Sequence, residues 1–248
     1  PQDLHVTPTR LIHLRGAPIA GGKLPLICTP LVGRTRDEVL AEVAAVLPKA
    51  PDLLEWRVDF FAALGDALAV IDTARAIRAA AGGTPVLFTR RSAREGGQPI
   101  ALAETEVVRV HEAVCAARCV ELVDWEMSSD GGDFARIRAA TRANGLPLVA
   151  SYHNFEATPD AWLTAKFAEA ERLGADVAKV AVMPQGPQDV LTLLAATHAA
   201  SQSVALPLIS MSMGPYGALS RMVGWAFGST VTFAVGQSSS APGQVPID

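Results

Sequence analysis

Lys179 is the residue most out of place in this 248-residue chain. It sits mid-way along "GADVAKVAVMP" (174–184), an otherwise apolar run, in a chain with four lysines against seventeen arginines. A charged ammonium is among the groups least expected in a core. Burial favours the neutral amine, which is a nucleophile toward carbonyls. The imine it forms is, once protonated, an electron sink for removal of a neighbouring proton. His153, near the end of "LPLVASYHNF" (146–155), has the intrinsic acidity to carry that proton. The competing reading is a buried ion pair of Lys179 with Glu126 or Glu55.

Other apolar runs also carry polar residues inside them or at their carboxyl ends. "DLLEWRVDF" holds Glu55 and Arg57, two apart and so on one face of a strand. "TPVLFTR" ends in Arg90–Arg91, with Glu95 in the following loop, and "CVELVDWEM" holds Asp124 and Glu126. Met211 and Met213 close "LPLISMSM", Arg221 follows, and Ser240 and Gln244 lie in "SSSAPGQ". Each has a plainer role: structural ion pairs for the acids and Arg57, core packing for the methionines, a solvated position for Arg90. Taken together, the arginines suit a carboxylate held in a bidentate fork. Glu55, Ser240 and Gln244 suit hydroxyls. The implied ligand is a small, hydroxylated, anionic ketone, and proton removal beside its carbonyl permits loss of a β-hydroxyl as water.

The elements that must bring these residues together alternate along the chain. Strand-length runs begin near residues 24, 52, 84, 119, 146, 174, 206 and 230, with helical periodicity between them. Eight strands interleaved with seven helices imply parallel pairing and predict a (β/α)₈ barrel, with a doubly wound open sheet as the alternative. A barrel gathers strand ends at one mouth, where every residue above would meet. The pattern predicts a single domain over 1–248. Its first 23 residues contain "LHVT" and "RLIHLRG", two alternating pieces expected to pair as a hairpin across the barrel floor. Only four residues follow Gln244, leaving no room for an eighth helix.

Composition narrows the partners. Half of the residues are apolar, 19 % are charged and the formal net charge is −4. This predicts a folded chain rather than a disordered one, and the balance argues against nucleic acid. No apolar run reaches the roughly 18–20 residues of a membrane span, and no secretory signal stands at the start. Three cysteines (Cys28, Cys115, Cys119) fit a reducing compartment. Cys115 and Cys119 lack further ligands at zinc spacing, and neither Gly21–Gly22 nor Gly131–Gly132 has the spacing of a phosphate loop.

The stretches "LLEWRVD", "LFTRRSAREGG", "VDWEM", "SYHNFEATP", "DVAKVAVMP", "ISMSMGPYGALSR" and "SAPGQ" occur in that order. Together they resemble the type I 3-dehydroquinate dehydratases of the shikimate pathway, from about residue 24 to the end. The resemblance implies dehydration of 3-dehydroquinate to 3-dehydroshikimate on a barrel, without metal or cofactor, in a cytoplasmic homodimer. It implies Lys179 as the imine lysine, His153 as the general acid/base and Glu95 as its orienting partner. Glu55 and Arg57 would hold ring hydroxyls, Arg221 and Gln244 the carboxylate, and Ser240 a closing loop. Arg91 rather than Arg90 would join the anion-binding rim, and Met211 would pack near the ring. Asn154 follows the histidine where several relatives have aspartate. Two rivals stand beside this reading. A class I aldolase would use the same lysine, but "SAPGQ" has few glycines for a phosphate site. A catalytically silent barrel would be expected to lack the lysine or the histidine.

Overall fold

The structure, a computed structural model, describes residues 9–15, 17–20, 24–160 and 163–247. Eight strands carry the fold: β1 (Leu26–Leu31), β2 (Leu53–Arg57), β3 (Val86–Thr89), β4 (Leu122–Glu126), β5 (Leu148–Asn154), β6 (Val177–Val182), β7 (Leu208–Ser212) and β8 (Val231–Val235). Helices α1 (Arg36–Val46), α2 (Ala67–Ala80), α3 (Glu104–Ala117), α4 (Gly131–Asn144), α5 (Leu163–Arg172), α6 (Pro187–Ser201) and α7 (Ala218–Val223) alternate with them. No helix of the described residues is long and apolar enough to cross a membrane.

Local chemistry fixes these boundaries. Thr35 and Glu38 form a reciprocal capping box at the start of α1. The Asp66 carboxylate accepts from the N–H of Leu68 and Ala69 at the start of α2. Pro187 opens α6, where its missing N–H costs nothing. Gly145 ends α4 at φ +68°, a conformation that favours glycine. The strands read as apolar runs because both faces are covered. Their outer faces pack on the helices, with Trp56, Phe88, Val123 and Val180 at under 1 % exposure.

All the strands pair in parallel within one curled sheet, in the order β7–β6–β5–β4–β3–β2–β1–β8, followed by a short strand β9 (Val245–Pro246). β7 and β8 also touch, through a parallel bridge between Leu208 and Ser229 and the Thr230 N–H donating to the Leu208 carbonyl at 2.7 Å. After β8 the chain turns back and lays β9 against β8 (Ala234 opposite Val245). The concave face has its own apolar floor of Cys28, Leu53, Leu87, Leu122 and Val177.

The expected hairpin falls only in part within the described residues. "LHVT" lies outside the described residues. The second piece does not wait for it: His13–Leu14 pairs antiparallel with Ala17–Pro18. Ile12, Leu14 and Ile19 join the apolar cluster inside the sheet.

Register aligns the polar residues. Ser151 on β5 lies opposite Lys179 on β6, which lies opposite Ile209 on β7. The two-residue repeat then puts Lys179, His153, Glu55, Arg57, Asp124, Glu126 and Met211 on the concave face, toward the carboxyl ends.

Candidate active site

A cavity opens at the carboxyl ends of the strands. It is lined by Glu55, Arg57, Arg91, Glu95, His153, Lys179, Met211, Ser240 and Gln244, nine of the ten site residues expected from sequence. Lys179 is 4 % exposed. Its Nζ donates to Glu55 Oε1 at 3.3 Å, lies 3.8 Å from Asp124 Oδ2 and stands 4.2 Å from the centre of the Phe233 ring. The ion-pair reading was therefore right about Glu55. Glu126 is engaged elsewhere.

His153 and Glu95 form a close pair. One oxygen, Glu95 Oε2, accepts from both the backbone N–H of His153 and Nδ1 of its ring, each at 2.9 Å. That bond fixes the tautomer with the proton on Nδ1 and leaves Nε2 as the basic nitrogen. Burial, together with the cations of Arg91, Lys179 and Arg57, holds the His153 imidazole well below its ordinary range. It is therefore neutral near pH 7. Burial and the neighbouring Glu126 carboxylate push Glu95 up to about 7, against the opposing pull of Arg91, the Ser128 hydroxyl and the His153 N–H. A neutral imidazole with one free nitrogen, beside an enclosed amine, is equipped to move a proton at a carbon next to an imine.

The loop after β8 covers the mouth. Ser240 N donates to Gln244 Oε1 at 3.0 Å, and Gln244 Nε2 donates to Ser240 Oγ at 3.2 Å. Arg57 reaches over to the Ser240 carbonyl at 3.3 Å. Gly243 sits at φ +72°, and a Cβ there would stand 2.1 Å from the Gly214 carbonyl oxygen, so the loop needs glycine to seat against the end of β7.

Arg221 is 4 % exposed and is not among the residues lining the cavity. Its Nη1 donates to Met211 Sδ at 3.5 Å and the Phe233 carbonyl at 3.4 Å, and Nη2 donates to the Pro242 carbonyl at 3.2 Å. No carboxylate pairs with it among the described residues, and burial lowers it to about 10. A buried guanidinium held only by neutral acceptors is a ready partner for an incoming anion.

Residues 27–248 match the family model of type I 3-dehydroquinase. The chain belongs to the type I 3-dehydroquinase family. It is 60 % identical over 238 residues to the 3-dehydroquinate dehydratase of Albidiferax ferrireducens, covering 96 % of this chain and 90 % of that one. The crystal structure of 3-dehydroquinate dehydratase from Geobacillus kaustophilus superposes with a TM-score of 0.94 at 51 % identity, covering 98 % of this chain and 94 % of that one. The type I enzyme from Clostridium difficile, solved with covalently modified comenic acid, superposes at 0.91 and 30 % identity, covering 96 % and 93 %.

Three features of this family member were not legible beforehand. Arg91 lines the cavity, yet its guanidinium serves the protein: Nη2 donates to Asp124 Oδ1 at 2.9 Å, while Nη1 donates to Glu126 Oε1 at 3.1 Å and Ser151 Oγ at 2.8 Å. It organises a carboxylate cage. Asp59 was passed over, although it takes Arg57 in a two-bond fork, both at 2.8 Å, and accepts the N–H groups of Arg91 and Gln98. Burial pushes its carboxyl up, but Arg57 and those N–H groups outweigh it and hold Asp59 below its ordinary value. The Arg57–x–Asp59 spacing was the available signal. Ser128 was also unremarked, and its hydroxyl donates to Glu95 Oε1. Arg90 pairs with Glu104 and lies over the Trp125 ring at 5.7 Å, away from the reacting groups. Cys115 and Cys119 are buried free thiols.

Proposed function

We propose that this site converts 3-dehydroquinate to 3-dehydroshikimate through an imine on Lys179. The Lys179 ammonium gives up one proton, the amine adds to the substrate carbonyl, and that proton returns to the adduct as it loses water, which gives the protonated imine. Nε2 of His153 takes a proton from the neighbouring carbon, and the electron pair moves into an enamine. The enamine expels the β-hydroxyl, which takes the proton back from His153 and leaves as water. A second water hydrolyses the product imine and frees the lysine. The imine itself is the electron sink, so the reading calls on no metal or cofactor.

The observation that carries this reading is the enclosure of Lys179 and the Glu95–His153 pair in one cavity. Glu55 and Arg57 would hold ring hydroxyls, Gln244 would help bind the carboxylate, and Ser240 would belong to the loop that closes over the ligand. Arg221 would receive the carboxylate once Met211 and the Pro242 turn adjust around it. Asp124, 3.8 Å from Lys179 Nζ, would accept a proton as the amine becomes nucleophilic. The closed (β/α)₈ barrel over a single domain belongs to the same reading, supported by the Leu208–Ser229 bridge. So does a floor cover built from Ile12, Leu14 and Ile19. A cytoplasmic homodimer is the state expected of such an enzyme. The exposed stripe Tyr216, Leu219, Met222 and Trp225 offers apolar surface for a second copy.

Turnover tests the reading directly. The chain should generate the conjugated enone of 3-dehydroshikimate from 3-dehydroquinate, and Lys179→Ala should abolish it. A Lys179→Ala variant working at the full rate would refute the imine route.

A further inference from the structure

The Glu95–His153 pair is a wall between two cavities. On one side is the cavity of Lys179. On the other is a separate, more open cavity lined by Arg94, Glu95, Ser128, Tyr152 and His153. Only Glu95 and His153 line both. Arg94 and Ser128 are solvent-exposed, so the second cavity is the solvent side of the pair. Ser128, just beyond β4, reaches inward from there and donates its hydroxyl to Glu95 Oε1. The two Glu95 oxygens therefore divide their work: Oε2 holds His153, and Oε1 holds Ser128.

We propose that Ser128 is a positioning residue for the reaction, acting through Glu95 to keep His153 in its basic tautomer. This rests on the imine reading above. A hydroxyl donating to a carboxylate favours the ionised acceptor. An ionised Glu95 accepts both His153 N–H groups on Oε2 in charge-assisted bonds. A protonated Glu95 holds them as a weaker, neutral acceptor and so holds the tautomer less firmly. The other groups facing Glu95 pull in both directions. Glu126 from β4 opposes ionisation, Arg91 from the end of β3 favours it at 3.8 Å, and the His153 backbone N–H from β5 favours it. Facing His153 are the cations Arg91, Lys179 and Arg57. With Glu95 poised near neutrality, one hydrogen bond more or less shows within the working pH range.

The test is the pH profile of kcat/KM for the intact chain and for Ser128→Ala and Ser128→Thr. Without the hydroxyl, Glu95 takes up its proton at higher pH. The acid limb for Ser128→Ala should then move up by about one unit, which is about tenfold in kcat/KM on the limb. The alkaline plateau and KM should change little. Ser128→Thr keeps a hydroxyl and should restore the limb. A merely structural role would lower the plateau without moving the limb. Borohydride trapping of substrate on Lys179 separates the two layers of the argument. Trapping in Ser128→Ala with an unmoved limb overturns the role of Ser128 alone. No trapping in the unsubstituted chain overturns the imine reading and this proposal with it.

Discussion

Replacing Arg91 with methionine should be among the most damaging single changes in the chain, through stability as much as through activity. The guanidinium is 3 % exposed and lies among three carboxylates: Asp124 and Glu126 bonded at 2.9 and 3.1 Å, and Glu95 at 3.8 Å. Ser151 Oγ, which also receives it at 2.8 Å, donates in turn to Asp124 Oδ1 at 2.7 Å. Methionine keeps most of the volume but removes the common cation, and Lys179 compensates only Asp124, from 3.8 Å. Breaking a buried pair by deleting one partner costs about 3–5 kcal/mol. A total stability on the order of 5–15 kcal/mol leaves little margin for such a loss. Urea unfolding at pH 7 should show the midpoint falling by at least about 1 M, and the loss should shrink toward pH 4 as the stranded carboxylates take up protons. Arg91→Lys should recover part of it, since the charge returns without the fork. A stability change under about 1 kcal/mol at pH 7 would refute the cage as described.

Four further outcomes follow from the same geometry. Arg221→Met leaves no carboxylate unpaired, so stability should change by less than about 1 kcal/mol while KM rises by roughly 10–100-fold, the worth of charge-assisted hydrogen bonds to the substrate carboxylate; steady-state kinetics beside thermal melts separate the two effects. His153→Ala should lower kcat by more than about 10²-fold with its fold intact by circular dichroism. His111 is fully buried between Phe88 and Trp125, and burial lowers it to about 3. The unfolded chain binds that proton below about pH 6.5 and the folded chain does not, so stability drains as pH falls from about 6.5 toward 3; His111→Phe should flatten that slope by a few kcal/mol across the interval. Gly243→Ala forces a Cβ to within 2.1 Å of the Gly214 oxygen and should raise KM by unseating the covering loop, with the melting temperature little changed.

The alternation of strands and helices was legible because burial on both faces leaves unmistakable apolar runs. Lys179, Glu55 and His153 were legible because each interrupts such a run. The Arg91 cage was half visible: Asp124 and Glu126 stood two apart, but their cation comes from β3, and pairing across strands has no local signature. Asp59 escaped because its fork with Arg57 forms only where the chain turns into a short 3₁₀ segment (Val58–Phe60). β9 is two residues long and carries no periodicity, and the His13–Leu14 pairing with Ala17–Pro18 is as short. Ser128 carries no signal in the sequence, since its significance depends on Glu95 from another loop.

The central claim is that Lys179 becomes covalently bound to the substrate. Incubation with 3-dehydroquinate, reduction with borohydride and peptide mass mapping test it most directly. The account predicts a stable adduct on the peptide bearing Lys179, with loss of activity in proportion to labelling. A chain that turns over substrate yet carries no adduct there, or carries it on another lysine, would contradict the account.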